Sequence, residues 1–276
     1  MKHKTLVYLL AGLSGLLILA SLVYLAWTYR QARRAAQTQE QRAQIVRDFV
    51  QLGLAYSREG DLYAALDAFN VAIAANPEHA PEAYYYRALV YTQMERFEDA
   101  LQDLTTALEQ QPHFPQAYAA RASVYLSLDR PASAVEDLNK ALQMGLTDDA
   151  TVYLNRGLAY FQLDMYDLAE KDFRKALSMT PDSAAVHFNL GTLYLQRGDE
   201  EKALEHLNRA IQLDPNFPAA YFNRAMALAH LGRREEAIQD LERFLLMPIT
   251  HNAQLQAQAL LERLRAGKPL EPTEDG

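Results

Sequence analysis

Arginine and aspartate recur in this 276-residue chain at spacings that point to charge pairing. Arg87, Arg121 and Arg156 follow one another at steps of 34 or 35 residues, and Arg224 stands two such steps further on. Asp103, Asp137, Asp172 and Asp240 recur with the same steps. Leu52 and Leu190 fill the two remaining places of the Arg column, and Ala68 and His206 fill those of the Asp column. The columns therefore switch together, as partners do. Pairing across units would set Arg87 against Ala68 and Arg224 against His206, so each Arg is assigned to the Asp of its own unit. The chemistry is a structural clamp, since breaking one partly buried pair costs up to about 3–5 kcal/mol, most of it from the orphaned charge. An Arg ladder for an acidic ligand is the functional alternative, and it does not explain the joint switching.

A second recurrence is of amides. Asn155, Asn189 and Asn223 each precede the Arg column by one residue and form a ladder at the repeat spacing. An Asn amide both donates and accepts, so it can meet a peptide backbone bidentately without reading side chains. Simple solvation of an exposed helix-face Asn is the plainer alternative. Motifs for reaction chemistry are absent: the sequence holds no HExxH, GxSxG, P-loop or GxGxxG. With no Cys there is no disulfide, thiolate zinc site or Cys nucleophile. The seven His are scattered, with His79, His113 and His251 assigned to loops between units. The many carboxylates recur with the repeat, as solvated faces and clamps do. The expectation is a chain with no catalytic residues, no metal and no cofactor.

The elements that must carry these residues follow from the same periodicity. Ala65, Ala100, Ala134, Ala169, Ala203 and Ala237 form one column, and Phe69, Leu104, Leu138, Phe173, Leu207 and Leu241 a second four residues on. Tyr56, Tyr91, Tyr125, Tyr160 and Tyr194 precede the Ala column by nine residues. Within 150–183, Tyr153, Gly157 and Tyr160 recur at helical spacing, and after a break so do Leu168, Ala169, Asp172, Phe173, Ala176 and Leu177. Each unit is therefore two helices. Pro77, Pro112, Pro181 and Pro215 close four of them, because Pro lacks a backbone donor and clashes with the preceding turn. Unit three has Leu146 there, with Gly145 as its terminator. Small residues at Ala88, Ala122, Gly157, Gly191 and Ala225 let the partner helix approach.

This spacing and the order Tyr/Gly/Tyr, Ala, Phe, Ala, Pro resemble the tetratricopeptide (TPR) repeat. Six units align, at 46–80, 81–114, 115–149, 150–183, 184–217 and 218–251. The resemblance implies an all-α fold, a right-handed α-solenoid of six helix pairs with a concave groove lined by the first helix of each pair. It places the Asn column in that groove, beside Tyr85, Tyr86, Leu154, Leu158, Phe188, Thr192 and Phe222. Some TPR proteins clamp a C-terminal carboxylate with Lys or Arg in these columns; here they hold Leu, Phe, Thr and Met226, so that mode lacks its cations. Unit six puts Phe244 in the column where Ala72, Ala107, Ala141, Ala176 and Ala210 stand, so its packing surface must differ. The apolar face of Ala253, Ala257, Leu260, Leu261 and Leu264 reads as a capping helix over 252–267, since an open solenoid end needs cover. An acidic, disordered tail is expected over 268–276.

Residues 1–5 form a basic start, and 6–29 carry no charge. Twenty-four helical residues span about 36 Å, enough for a hydrocarbon layer of about 30 Å, so a single transmembrane helix is expected there. Residues 30–45 follow as a basic helical stem, rich in Ala, Gln and Arg. Arg30, Arg33, Arg34, Arg42 and Arg47 after the span outnumber Lys2 and Lys4 before it, which favours a cytoplasmic repeat domain. A basic start before a long apolar run is also the form of an anchor that exports its C-terminus, and both orientations stay open. Residues 1–47 carry seven Lys/Arg and one acid, whereas the rest carries twenty basic and thirty-four acidic residues. So acidic a domain repels nucleic acid phosphates. The sequence thus reads as a single-pass protein of a bacterial inner (plasma) membrane, a scaffold for an extended peptide or partner protein. The alternative is a homo-oligomer, a self-associating solenoid whose groove binds no peptide.

Overall fold

Helix boundaries follow from local chemistry. The computed structural model describes residues 27–28, 30–31 and 37–268. Helix α1 covers 37–59, followed by α2 (Leu62–Ala75), α3 (Pro81–Gln93) and α4 (Phe97–Gln110). Then come α5 (Pro115–Ser127), α6 (Pro131–Gln143), α7 (Ala150–Gln162), α8 (Tyr166–Met179), α9 (Ala184–Gln196) and α10 (Glu200–Leu213). The last are α11 (Pro218–His230), α12 (Arg234–Leu245) and α13 (His251–Arg265). Pro81, Pro115, Pro131 and Pro218 open helices at the position where a missing N–H costs nothing. Asp61, Asp149, Ser183, Asp199 and Thr250 cap others by accepting a bond from a backbone N–H of the first turn.

Each helix pair turns through one left-handed residue: Gly60, Glu95, Asp129, Asp164, Gly198 or Gly232, with φ between 55° and 81°. Between the helices of a pair, the columns Ala65, Ala100, Ala134, Ala169, Ala203 and Ala237 are wholly buried. Close approach is demanding at Gly53, where an added Cβ would lie 2.5 Å from the Phe69 ring, and at Gly157 and Gly191, where it would lie 2.6 Å from Phe173 and Leu207.

The chain divides into two compact units, 1–112 and 113–276. In the first, Val46, Val50, Phe69 and Ala83 are buried among the aromatic residues of α1 and α3. In the second, a continuous core runs from Ala169 on α8 to Leu264 on α13. Successive first helices touch there, α5 to α7, α7 to α9 and α9 to α11, and line a common face. Helix α13 covers α12 with Ala257, Leu261 and Leu264. It begins at His251, which is therefore the first residue of a helix rather than part of a loop. The expected transmembrane run 6–29 lies outside the described residues except for Trp27 and Thr28. The stem is helical where described, at 30–31 and 37–45, and the tail is described only at Lys268. Among the described residues no helix is long and apolar enough to cross a membrane.

Candidate functional site

Four Arg–Asp contacts share one geometry. The Nε of Arg87, Arg121, Arg156 and Arg224 donates to Oδ2 of Asp103, Asp137, Asp172 and Asp240 at 2.6–2.7 Å. Nη2 donates to Oδ1 of the same carboxylates at 2.6–3.0 Å. Such paired bonds fix both distance and orientation. The Asp side chains are no more than 8% exposed, so each carboxylate depends on its guanidinium. Hydrogen bonds donated to Asp172 and Asp240 raise the pKa of Arg156 and Arg224, against the opposing effect of burial. Flanking Tyr rings complete the cage: Arg156 lies 5.9 Å from the Tyr153 centroid and 5.8 Å from that of Tyr160.

The cage has a third polar member that the sequence reading missed. Nη1 of Arg87, Arg156 and Arg224 donates to Oδ1 of Asn70, Asn139 and Asn208 at 2.6–2.8 Å. These Asn sit on the preceding pair, so one guanidinium ties its own two helices together and holds the pair before it. The available signal was a third column, Asn70, Asn139 and Asn208, with Arg174 standing where the following pair has Leu190 in place of Arg.

The amides on the first helices are less uniform than a ladder of free donors and acceptors. Asn223 Nδ2 on α11 donates to Thr192 Oγ1 on α9 at 2.8 Å, and Thr192 donates to Phe188 O at 2.9 Å. Asn189 has Leu158 at the place where Asn223 finds Thr192, and its Nδ2 turns back to Ala185 O at 2.9 Å. Asn155 on α7 is half-buried, and among the described residues its side chain makes no hydrogen bond. The face therefore offers three side-chain carbonyl oxygens; Asn155 keeps both amide hydrogens uncommitted, whereas Asn189 and Asn223 keep one each. Leu154, Leu158, Phe188 and Phe222 line the same helices, partly buried against the core. Tyr85 and Tyr86 belong to α3 of the first unit. Tyr86 stacks on Phe69 at 6.2 Å between centroids, so its ring serves packing there.

Beside Asn223 the face deepens into an open recess of about 630 Å³. Phe217, Phe222, Phe244, Pro248 and Ile249 form its apolar wall, with Asn223, Thr250 and Gln256 as polar groups. Phe244 has a local cause for being there. Standing in a column of alanines, its ring meets Phe222 at 5.4 Å, where a methyl group would let helices close. Volume and lining fall in the range of sites that take small apolar groups. Among the described residues, no group of three or more His, Cys, Asp or Glu could hold a metal ion.

Family comparisons agree with this architecture. A model described as tetratricopeptide repeat matches residues 52–123 and 190–266, a second matches 148–216 and a third 115–144. No curated protein matches the chain. Among solved structures, a tetratricopeptide repeat protein from Parabacteroides merdae is 21% identical with a TM-score of 0.66, over 81% of this chain and 88% of its own. PilW, a widely conserved type IV pilus biogenesis factor, is 18% identical with a TM-score of 0.69, over 79% and 99%. YrrB, a TPR protein with an unusual peptide-binding site, is 23% identical with a TM-score of 0.54, over 70% and 99%. At these identities the likeness is one of fold.

Proposed function

This chain belongs to the tetratricopeptide repeat family, and from that premise we propose that it is a scaffold holding an extended peptide or partner protein on the face of α7, α9 and α11. The observation that carries this reading is the continuity of two complementary features at Asn223. Its amide belongs to the row of backbone-competent carbonyls, and its side chain also borders the apolar recess. A peptide can thus lay its backbone along Asn155, Asn189 and Asn223 and place one large apolar side chain among Phe217, Phe222 and Phe244. The neutral lining selects against strongly charged ligands. YrrB, with its unusual peptide-binding site, and PilW, a pilus biogenesis factor, make a peptide or an assembly partner a reasonable class for this fold.

We further propose that residues 6–29 anchor the scaffold in a membrane, where it serves assembly of a membrane or envelope complex. The support is the uncharged run itself, long enough to span a bilayer, with Arg30, Arg33 and Arg34 behind it. An anchor raises the scaffold's effective concentration at the bilayer without adding any contact.

Selection from a random peptide library on residues 44–276 tests the groove. Enriched peptides are expected to share one large apolar residue and no charge pattern. Asn155→Ala is expected to weaken them about 2–10-fold, the equivalent of one hydrogen bond, and similarly for different sequences. Asn189→Ala and Asn223→Ala should do less, because one of the two amide hydrogens of each already has a partner in the free protein. Unchanged affinity in Asn155→Ala and Phe222→Ala, with thermal stability retained, would remove the groove from the function. Concentration-dependent self-association of the same protein with no peptide enrichment would favour the self-associating solenoid.

A further inference from the structure

The pair α9–α10 departs from the clamp at four places at once. His187 stands where the other pairs of the second unit have Tyr118, Tyr153 and Tyr221. Leu190 replaces the Arg, His206 replaces the Asp, and Arg174 replaces the Asn of the preceding pair. Leu190, in the column of the arginines, is wholly buried. What remains polar between the two helices at this level is a direct contact of imidazoles, with Nδ1 of His187 3.0 Å from Nδ1 of His206.

Hydrogen-bond donors and acceptors fix the proton positions. Nε2 of His187 lies 3.2 Å from Pro181 O, and a carbonyl only accepts, so this nitrogen carries the hydrogen. The Nδ1 of neutral His187 is then a bare acceptor, and His206 must donate through its own Nδ1. The His206 ring is stacked on Tyr194, 5.6 Å between centroids and 16° from parallel. The pair thus has room for a first added proton on His206 Nε2, which leaves the contact in place. A second must go to His187 Nδ1, the atom that accepts, and two facing N–H groups cannot remain at 3.0 Å.

We infer that the α9–α10 joint is an acid-released latch, closed by the proton shared between His187 and His206 and opened when the accepting nitrogen of His187 is protonated. The surroundings set the direction. Burial, followed by His187, lowers the pKa of His206 below the ordinary 6.5, and Arg174 acts in the same sense. Glu205 and Glu170 oppose them. Of the other charged groups here, Lys202 is paired with Asp199 and lies over the Tyr194 ring. On α11, Arg224 is held by Asp240 and Asn208, and His230 faces Glu200. Compared with the open joint, the closed joint therefore takes up fewer protons, because burial resists the first, on His206, and the shared contact resists the second, on His187 Nδ1. Its stabilisation is complete above about pH 6.5 and is lost as pH falls below that value. The clamps of the neighbouring pairs keep their guanidinium charge throughout, so acid acts first at this joint. Helix α9 also carries Phe188, Asn189 and Thr192, so, resting on the groove reading above, the latch would couple partner release to acidification.

Backbone hydrogen exchange on the 276-residue chain reads the latch without any partner. After correction for intrinsic rates, opening of α9 and α10 is expected to rise about fivefold between about pH 6.5 and 5.5, the effect of one proton taken up by a histidine that is already half protonated in the open joint at the upper pH. Helices α5 and α6, held by Arg121 and Asp137, serve as the internal reference and should change little. The double substitution His187→Gln with His206→Gln should abolish the difference. Equal acid response in that variant and the parent would overturn the latch. Should the variant not fold, nitrogen NMR of the parent imidazoles decides: at about pH 7.5, His187 should carry its proton on Nε2 and His206 on Nδ1. A proton on His187 Nδ1 at that pH would equally overturn it. A latch that opens while groove substitutions leave peptide binding untouched would separate this inference from the groove.

Discussion

Arg156 illustrates how one side chain holds a repeat. Two of its nitrogens meet Asp172, a third meets Asn139 on the preceding pair, and Tyr153 and Tyr160 flank it. Replacing Asp172 by Ala strands a guanidinium that is 19% exposed, with no carboxylate to offset its desolvation. The expected loss, measured by urea unfolding, is about 3 kcal/mol, the low end for a buried pair because Arg156 retains some water. Adding Arg156→Leu to Asp172→Ala should recover much of that loss, since Leu190 already occupies the same column fully buried. If the two losses simply add, the residues are not coupled. The Arg and Asp columns were readable in the sequence because they change together within the same unit. The Asn column was not, because its members lie on the preceding unit, where a comparison unit by unit separates them from their arginines. The partners that take one amide hydrogen each from Asn189 and Asn223 were also hidden, since each choice depends on a neighbour one repeat away, Leu158 or Thr192.

Helices pack against one another through matched sizes rather than single contacts. Gly157 faces Phe173 and Gly53 faces Phe69, while Gly191 faces the smaller Leu207; the corresponding positions of other pairs hold Ala88 with Leu104 and Ala122 with Leu138. Gly157→Ala would put a methyl carbon 2.6 Å from the Phe173 ring, and α7 would have to move from α8. Overpacking of this kind costs about 1–3 kcal/mol, against about 1 kcal/mol gained from the better helix propensity of Ala. The expected net result is a lowered midpoint in thermal unfolding. Combining Gly157→Ala with Phe173→Leu recreates the Ala–Leu match of Ala122 and Leu138 and should restore most of the midpoint. A Gly157→Ala protein as stable as the parent would show that the ring yields freely. At this scale the sequence was most legible, because helix order, Pro and Gly punctuation and buried columns are all local. The recess beside α13 was legible only as a hint. Phe244 in a column of alanines announces altered packing, but the opening depends on how Pro248, Ile249 and Thr250 redirect the chain into α13.

Charge is distributed along the whole molecule in two blocks. Residues 1–47 hold seven Lys/Arg against one acid, and the remainder holds thirty-four acids against twenty basic residues. An acidic repeat domain is repelled by an anionic membrane surface, while a basic stem beside the bilayer is attracted by about 1 kcal/mol per Lys or Arg close to it. On the proposed anchoring, the uncharged stretch 6–29 supplies the attachment and the basic stem adds to it, while the repeats contribute nothing electrostatic. That division makes the proposed anchor separable from the scaffold. The 276-residue chain is expected to remain with membranes through an alkaline carbonate wash, which strips proteins held by charge. A chain beginning at Gln44 is expected in the soluble fraction and should bind the same peptides with unchanged affinity, because no residue of the groove precedes α7. Release of the 276-residue chain by carbonate would leave only a peripheral attachment through the basic stem, and that attachment should weaken steeply with salt. A reporter enzyme fused after Gly276 then assigns the side. The five arginines that follow the span set the expectation of cytoplasmic activity, and activity confined to the exported side would place the scaffold, and the acid-released joint within it, in the compartment beyond the membrane.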